Sequence, residues 1–478
     1  MHIATLTTFL IYLSIVLILG IIAYRQTHNL NDYVLGGRRL GSGVTAISAG
    51  ASDMSGWLLM GLPGAVYAYG LNQIWMAVGL ILGAYLNWLF VAKRLRIYTE
   101  KANNSLTIPE FLHNRFQDHS NLLRLISALI ILLFLTFYVS SGLVSSAILF
   151  ENSFDINYII ALWLGTGIIV LYTFLGGFLA VSWTDVLQGL LMLLALIIVP
   201  IVTFVELGNW ETITSRISQV NPDFLNVFHE MSALQIISLL AWGLGYFGMP
   251  HVLVRFMAIK SAQDIPKARR IGMTWMVLST LGAVLTGFLG IAYFADNSLN
   301  SQEEVFLALT QVLFNPWVAG FLLAAIFSAI MSTLDSQLLV SSSAVTEDFY
   351  HYLRPQASQP ELMWVGRYSV VLIAIIALEI AYNPDNTIME LVEYAWAGFG
   401  SSLGPIILFS LFWSRTTRNG ALAGIMVGVI TVVAWERLTV FGVIPFSLYE
   451  MVPAFLLSSL AIIVVSLFDK PPKLLESI

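Results

Sequence analysis

Residues 48–64 read SAGASDMSGWLLMGLPG, a stretch in which one carboxylate, Asp53, stands among glycines and serines inside an otherwise apolar run. Gly50, Gly56, Gly61, Pro63 and Gly64 share it. Glycine lowers helix stability by roughly 1 kcal/mol relative to alanine, and proline by roughly 3. A straight helix is therefore not expected here. A second stretch has the same character: AWGLGYFGMPH at 241–251, with Gly243, Gly245, Gly248 and Pro250.

Both stretches sit in a chain whose composition is that of a membrane protein. Of 478 residues, 58% are hydrophobic and 10% charged, against the roughly 25% charged of a soluble domain. Apolar runs of about 18 residues or more recur from end to end, which predicts repeated bilayer-spanning helices in one all-α polytopic membrane domain. Thirteen such segments lie near 5–24, 44–69, 74–91, 122–149, 158–174, 185–205, 233–256, 271–292, 317–343, 367–381, 388–413, 420–435 and 451–468. They are numbered 1 to 13 below. Segment 1 (within 1–30) reads as an extra N-terminal helix, 44–413 as the core, and 414–478 as two extra helices with a short cytoplasmic tail.

The placement of charge tests this count. With thirteen spans, all of the 22 Lys and Arg residues except Arg216 and Arg437 fall on one side of the membrane. Positive residues collect in cytoplasmic loops, so the N-terminus is expected outside and the C-terminus inside, in a cell membrane. Segment 1 has Arg25 after it and no basic residue before it. That is the reverse of a secretory leader, and it predicts a retained helix.

Several function classes are excluded at this stage. The chain has no cysteine, which removes disulfides, thiolate metal sites and thiol catalysis. No HExxH pattern and no basic nucleic-acid patch occurs, so neither an enzyme nor a nucleic-acid binder is expected. A solute-sensing receptor, which would carry an appended signalling domain, is not expected because the chain stops within ten residues of segment 13. No organic cofactor and no obligatory protein partner is implied.

Segments 2 and 7 lie five apart, and an odd offset makes them run in opposite directions, as an inverted repeat of five helices (2–6 and 7–11) requires. Interrupted helices at corresponding positions of two halves point to a transporter's binding site at the bilayer midplane. Glycine-rich helix packing is the bland alternative. A carboxylate at the bilayer centre is unfavourable by about 3 kcal/mol and usually lines a polar pathway, so Asp53 is either a cation's partner or a brace for the break. On segment 9, Ala329, Ser332 and Thr333 are spaced i, i+3, i+4, which places both hydroxyls beside the Ala329 carbonyl. With carbonyls freed near Ala51 and Met54, five neutral oxygens could surround a hard monovalent cation. The alternative is that Thr333 bonds back to the Ala329 carbonyl.

The aromatic residues beside the breaks, Trp57, Tyr138, Trp242 and Tyr246, suit a small solute with an apolar body, or else serve packing and the interfacial belt. Asp185 reads as the start of segment 6, where a carboxylate meets the helix dipole and Thr184 can cap. Asp335, two residues past Thr333, is expected to face inner water.

At these residues a resemblance appears. LGGRRLG (35–41), SAGASDMSGWLLMGLPGAVY (48–67), LTIPEFLHNRF (106–116), YTFLGGFLAVSWTDVLQGLLM (172–192), AWGLGYFGMPHVLVRFMA (241–258) and IMSTLDSQLLVSSSAVTEDFY (330–350) resemble the sodium/solute symporter family, in its bacterial sodium/proline symporter branch. The resemblance implies a leucine-transporter-type core of two inverted five-helix repeats, working by alternating access. Sodium would be the co-transported ion and L-proline the solute. It implies sodium ligands at the carbonyls of Ala51, Met54 and Ala329 and the hydroxyls of Ser332 and Thr333, with Asp53 needed for sodium attraction and Asp185 on the inward sodium route. Proline would be bound by Ser55, Trp57, Tyr138, Trp242, Tyr246 and Pro250. One position departs: family members have Gln before the proline of GxPH, and this chain has Met249, which removes a polar group near the expected pocket. Symport of another small carboxylate-bearing solute, coupled to sodium or protons, is the competing expectation.

Overall fold

A computed structural model of the chain describes residues 3–27, 29–383, 387–443 and 448–470. The cytoplasmic tail expected beyond Lys470, with Lys473, lies outside the described residues. Among those described the protein is all-helical, and its one β-type pairing is an isolated parallel bridge between Leu40 and Ile259. Ten helices are long and apolar enough to cross a membrane, or eleven if the bent pair Ala233–Phe247 and Pro250–Ala258 is one span. Segment 5, Tyr158–Leu175, is shorter. Segment 2 is helical but stays outside this set, because serines, glycines and Asp53 lower its hydropathy.

Segment 9 is the central post. Its helix, Pro316–Ser343, is buried without interruption from Leu322 to Ser343, and segments 1, 2, 4, 6 and 10 pack around it. A helix buried on every side needs apolar or small residues all round, and Ala, Ser and Gly supply them here. Segment 2 fits between segments 6, 8 and 9.

Segment 2 consists of three consecutive pieces: an α-helix Ser42–Gly56, a π-type turn Trp57–Gly61 and an α-helix Leu62–Tyr69. The sequence assigns the interruption to glycine and proline, yet the residue that leaves helical geometry is Ser55, at φ 46° and ψ −170°. Pro63 sits at the start of Leu62–Tyr69, where its missing N–H takes least from the helix. A left-handed φ on a non-glycine residue is unfavourable by about 1–3 kcal/mol and persists only where neighbours fix it.

Segment 7 changes at the expected glycines. An α-helix Ala233–Ala241 tightens into a 3-10 stretch, Trp242–Phe247, and restarts as Pro250–Ala258 after Met249, with a bend of 43°. Segment 3 crosses it with no side chain between the backbones. A Cβ built on Gly83 would stand 2.0 Å from the carbonyl oxygen of Gly243.

Candidate functional site

The breaks bring segments 2 and 9 together through oxygens. Ser332 Oγ donates to the Ala51 carbonyl at 2.8 Å and lies 3.2 Å from the Ala329 carbonyl. Thr333 Oγ1 is 3.4 Å from the Ala51 carbonyl and accepts the Ser55 N–H at 2.9 Å. Four of the five expected oxygens thus form one cluster, and Ala51, Ala329 and Ser332 are fully buried. The Met54 carbonyl is at the same break, where the Trp57 N–H reaches it. The alternative expected for Thr333 is corrected: Ser332 reaches back to Ala329, while Thr333 turns across to segment 2 and holds Ser55.

Asp53 faces another way. Its Oδ2 accepts the Tyr246 hydroxyl at 2.5 Å, and its carbonyl accepts the Tyr138 hydroxyl at 3.1 Å. The carboxylate therefore braces segment 2 against the 3-10 stretch of segment 7. Among the described residues it makes no hydrogen bond to Ser332 or Thr333.

Beside the oxygens lies a narrow pocket lined by Asp53, Met54, Trp57, Tyr138, Trp242 and Tyr246, with Leu80, Val392 and Trp396. The Trp57 and Trp242 rings stack at 5.9 Å, and Trp242 stacks in turn on Tyr449 at 5.6 Å. Trp396 stands edge-on to Tyr246 at 5.2 Å, and its Nε1 donates to the Trp242 carbonyl at 2.6 Å. That carbonyl belongs to the non-α stretch, so Trp396 satisfies a group the break leaves open. Sequence reasoning missed Trp396 and Tyr449. The one available signal was a large ring between the small residues Ala395 and Ala397 of segment 11.

Two expected solute residues do not line this pocket, although Ser55 adjoins it through Tyr138 and Trp57. Ser55 turns its Oγ to the Trp57 N–H at 3.1 Å, and Pro250 lines a separate apolar cavity with Leu106, Ile131 and Leu339. Met249 is fully buried and does not line the aromatic pocket. Its departure from the family pattern removes no polar group from that wall.

Asp185 is not at a helix start. Segment 6 begins at Phe178 and runs to Leu207, so Asp185 sits two turns inside it, fully buried. Its Oδ2 accepts Ser48 Oγ at 2.6 Å and Arg255 Nη2 at 3.3 Å. Thr184 bonds within its own helix and to Tyr172. The apolar run from Phe178 to Val181 continues the helix upstream, which the cap-like Thr184–Asp185 pair concealed. Arg255, counted in the sequence only by its side of the membrane, is fully buried, with its guanidinium on Ser48, Asp185 and Ser336. Asp335, expected to face inner water, is fully buried beside Ser336. A GSSLG pentapeptide at 400–404 has the lettering of a hydrolase nucleophile turn, but Ser402 Oγ donates to the Gly398 carbonyl of its own helix.

Known proteins resemble this chain in sequence and in fold. A model of the sodium:solute symporter family matches residues 33–428. A sodium/proline symporter of Haemophilus influenzae is 53% identical, covering 98% of this chain and 95% of its own length. A high-affinity proline transporter of Bacillus subtilis is 55% identical over 95% of this chain and 96% of its own. The solved structure of a Na+-coupled sialic acid symporter, substrate-bound and outward-open, superposes with a TM-score of 0.85 over 99% of both chains at 19% identity. That likeness shows the fold, which is of the leucine-transporter type. The chain belongs to the sodium:solute symporter family, whose members are secondary transporters rather than enzymes.

Proposed function

We propose that this protein carries L-proline into the cell together with sodium, by alternating access across a cell membrane. The observation that carries the reading is one strained residue between two sites. Ser55 is held on one side by Thr333, within the oxygen cluster, and is followed two residues later by Trp57 in the aromatic pocket. The proline transporters about half identical over nearly the whole chain support the solute and the ion.

In this reading the sodium ligands are the carbonyls of Ala51, Met54 and Ala329 and the hydroxyls of Ser332 and Thr333. The hydroxyl protons rotate outward, and the oxygens that now hydrogen-bond one another turn their lone pairs to the ion. Trp57, Tyr138, Trp242 and Tyr246 enclose the proline ring. Ser55 sets the backbone between the two sites, Pro250 shapes the path beneath, Asp53 supplies the attracting charge and the brace, and Asp185 stands on the inward route. Thirteen spans, an inverted repeat over segments 2–11, interrupted helices 2 and 7, an outside N-terminus and a cytoplasmic C-terminus complete the architecture.

The energetics suffice with one ion. One charge moving through 100 mV contributes about 2.3 kcal/mol, and at ~1.4 kcal/mol per decade that supports about 50-fold accumulation before any sodium gradient is added. Radiolabelled proline counterflow in proteoliposomes tests the reading. Exchange that needs sodium and yields to excess proline over other amino acids supports it. Exchange indifferent to sodium, or equally inhibited by unrelated solutes, sinks it.

A further inference from the structure

A second chamber lies between segments 2, 3, 7 and 8 and shares Asp53, Met54 and Tyr246 with the aromatic pocket. Asp53, Asn87 and Tyr246 supply its polar groups, and Ala49, Trp88 and Met276 are among its apolar walls. It offers about 20 Å³ to the centre of a water-sized body, room for one such body. Asp53 Oδ2 is taken by Tyr246, but Asp53 Oδ1 has no hydrogen-bond partner among the described residues. Nor has Asn87 Oδ1. The Asn87 amide is oriented by its nitrogen, which donates to the Tyr246 carbonyl at 2.9 Å, so the orphan atom is the acceptor. Asn87 is fully buried and Asp53 is 4% exposed.

Two buried acceptors, one of them charged, therefore face one chamber, and no Lys, Arg or His lines it. Buried polar groups left unpaired are destabilising, more so when charged. A ligand that satisfies both must bring positive character to each acceptor, and a cation does so while also meeting the negative charge of Asp53. Segment 3 aims the amide from a π-type turn, Asn87–Val91, an irregularity often found at functional sites.

We infer that this chamber is a second station for the co-transported monovalent cation, held by Asp53 Oδ1 and Asn87 Oδ1. It rests on the reading of sodium as the coupled ion. It gives Asp53 a direct contact with the ion through Oδ1, and it brings in Asn87.

The test is equilibrium ²²Na⁺ binding to the purified full-length protein at pH 8. Wild type is expected to bind in a stronger and a weaker component. Thr333→Ala removes the stronger and keeps the weaker, and Thr333→Ala with Asn87→Leu loses both. Thr333→Ala with Asn87→Asp keeps the orphan oxygen, adds charge and should tighten the weaker component by about tenfold. Loss of the amide's tie to Tyr246 gives no reason for tighter binding, so this variant separates a ligand from a merely structural residue. No residual component in Thr333→Ala, a residual component indifferent to Asn87→Leu, or no tightening in Asn87→Asp each overturns the station. Wild type that binds no sodium at all is a different failure: it defeats the sodium reading before any substitution is made, and the station with it.

Discussion

Removing one oxygen from segment 9 should separate the proposed ion site from the proposed solute site. Thr333 Oγ1 accepts the N–H of Ser55 at 2.9 Å and lies 3.4 Å from the Ala51 carbonyl. Thr333→Val keeps the β-branched shape and deletes the oxygen. The Ser55 N–H is then a buried donor without a partner, which is unfavourable by about 1–3 kcal/mol. Ser55 also loses a contact that fixes its left-handed backbone at φ 46°. Through ~1.4 kcal/mol per decade, the same 1–3 kcal/mol corresponds to a rise of about 5- to 150-fold in the sodium concentration for half-maximal uptake. Thr333→Ser, which keeps an oxygen at that place, should stay within about threefold of wild type. The assay is initial-rate uptake of radiolabelled proline into proteoliposomes at fixed membrane potential, with outside sodium varied. At saturating sodium the KM for proline should return toward the wild-type value, because the aromatic walls are untouched. A Thr333→Val protein with wild-type sodium dependence would refute the argument that this hydroxyl links the oxygens to the break.

Four further substitutions probe other contacts. Tyr246→Phe leaves Asp53 Oδ2 without the hydroxyl that now reaches it; a hydrogen bond to a charged group contributes about 1.5–3 kcal/mol, so sodium-dependent uptake should fall at least tenfold while Tyr246→Trp offers no rescue. Gly83→Ala puts a Cβ 2.0 Å from the Gly243 carbonyl, and overpacking of about 1–3 kcal/mol should appear as a lower melting temperature in detergent; an unchanged Tm would show that segments 3 and 7 can part freely. Arg255→Gln leaves Asp185 without the guanidinium that reaches it at 3.3 Å, a break that is destabilising by about 3–5 kcal/mol for a buried pair; Asp185→Asn added to it should recover part of the lost Tm. Met249→Gln should shift the preference for proline over ring-enlarged analogues by less than about twofold in KM ratio, since that side chain does not line the pocket.

The helices were legible because about 20 apolar residues admit little else in a bilayer. Among the described residues ten helices, or eleven with the bent pair, are long and apolar enough to cross a membrane, and segments 2 and 5 are helical outside that set. Side-chain partners far apart in sequence were a different matter. Nothing in the spacing of segment 9 says that Thr333 turns to Ser55 rather than to Ala329; that depends on how closely segment 2 approaches. Arg255 was counted only by its side of the membrane, and a basic residue at a helix end normally snorkels to water, whereas here Ser48, Asp185 and Ser336 meet its guanidinium inside the bundle. The same contact explains Asp185: its role is set by a partner 70 residues away, and the local Thr–Asp pattern pointed to a cap instead. Trp396 and Asn87 carried even less signal, since each matters through a backbone carbonyl of segment 7 that only the three-dimensional break makes available.

In the proposed reading, Ser55 also explains how this short stretch would couple the ion and solute sites without a long relay. Its backbone conformation is unfavourable by about 1–3 kcal/mol by itself, so it exists where its neighbours outweigh that strain. Thr333 supplies one such contact from the ion side, and the bond from the Trp57 N–H to Ser55 Oγ supplies another from the solute side. Any ligand that draws Thr333 Oγ1 toward itself alters the first contact, and any solute that moves Trp57 alters the second. Both therefore act on the same pair of dihedral angles. Two ligands that each favour one setting of a shared two-state element bind cooperatively, and reciprocity requires that proline raise sodium affinity by the factor that sodium raises proline affinity. For a coupling of 1–3 kcal/mol that factor is about 5 to 150. Substituting Ser55→Gly, which removes the strain and the Oγ together, should bring the factor toward one while each ligand still binds; titrating sodium binding with and without saturating proline measures it, and a factor unchanged from wild type would place the coupling elsewhere in the bundle.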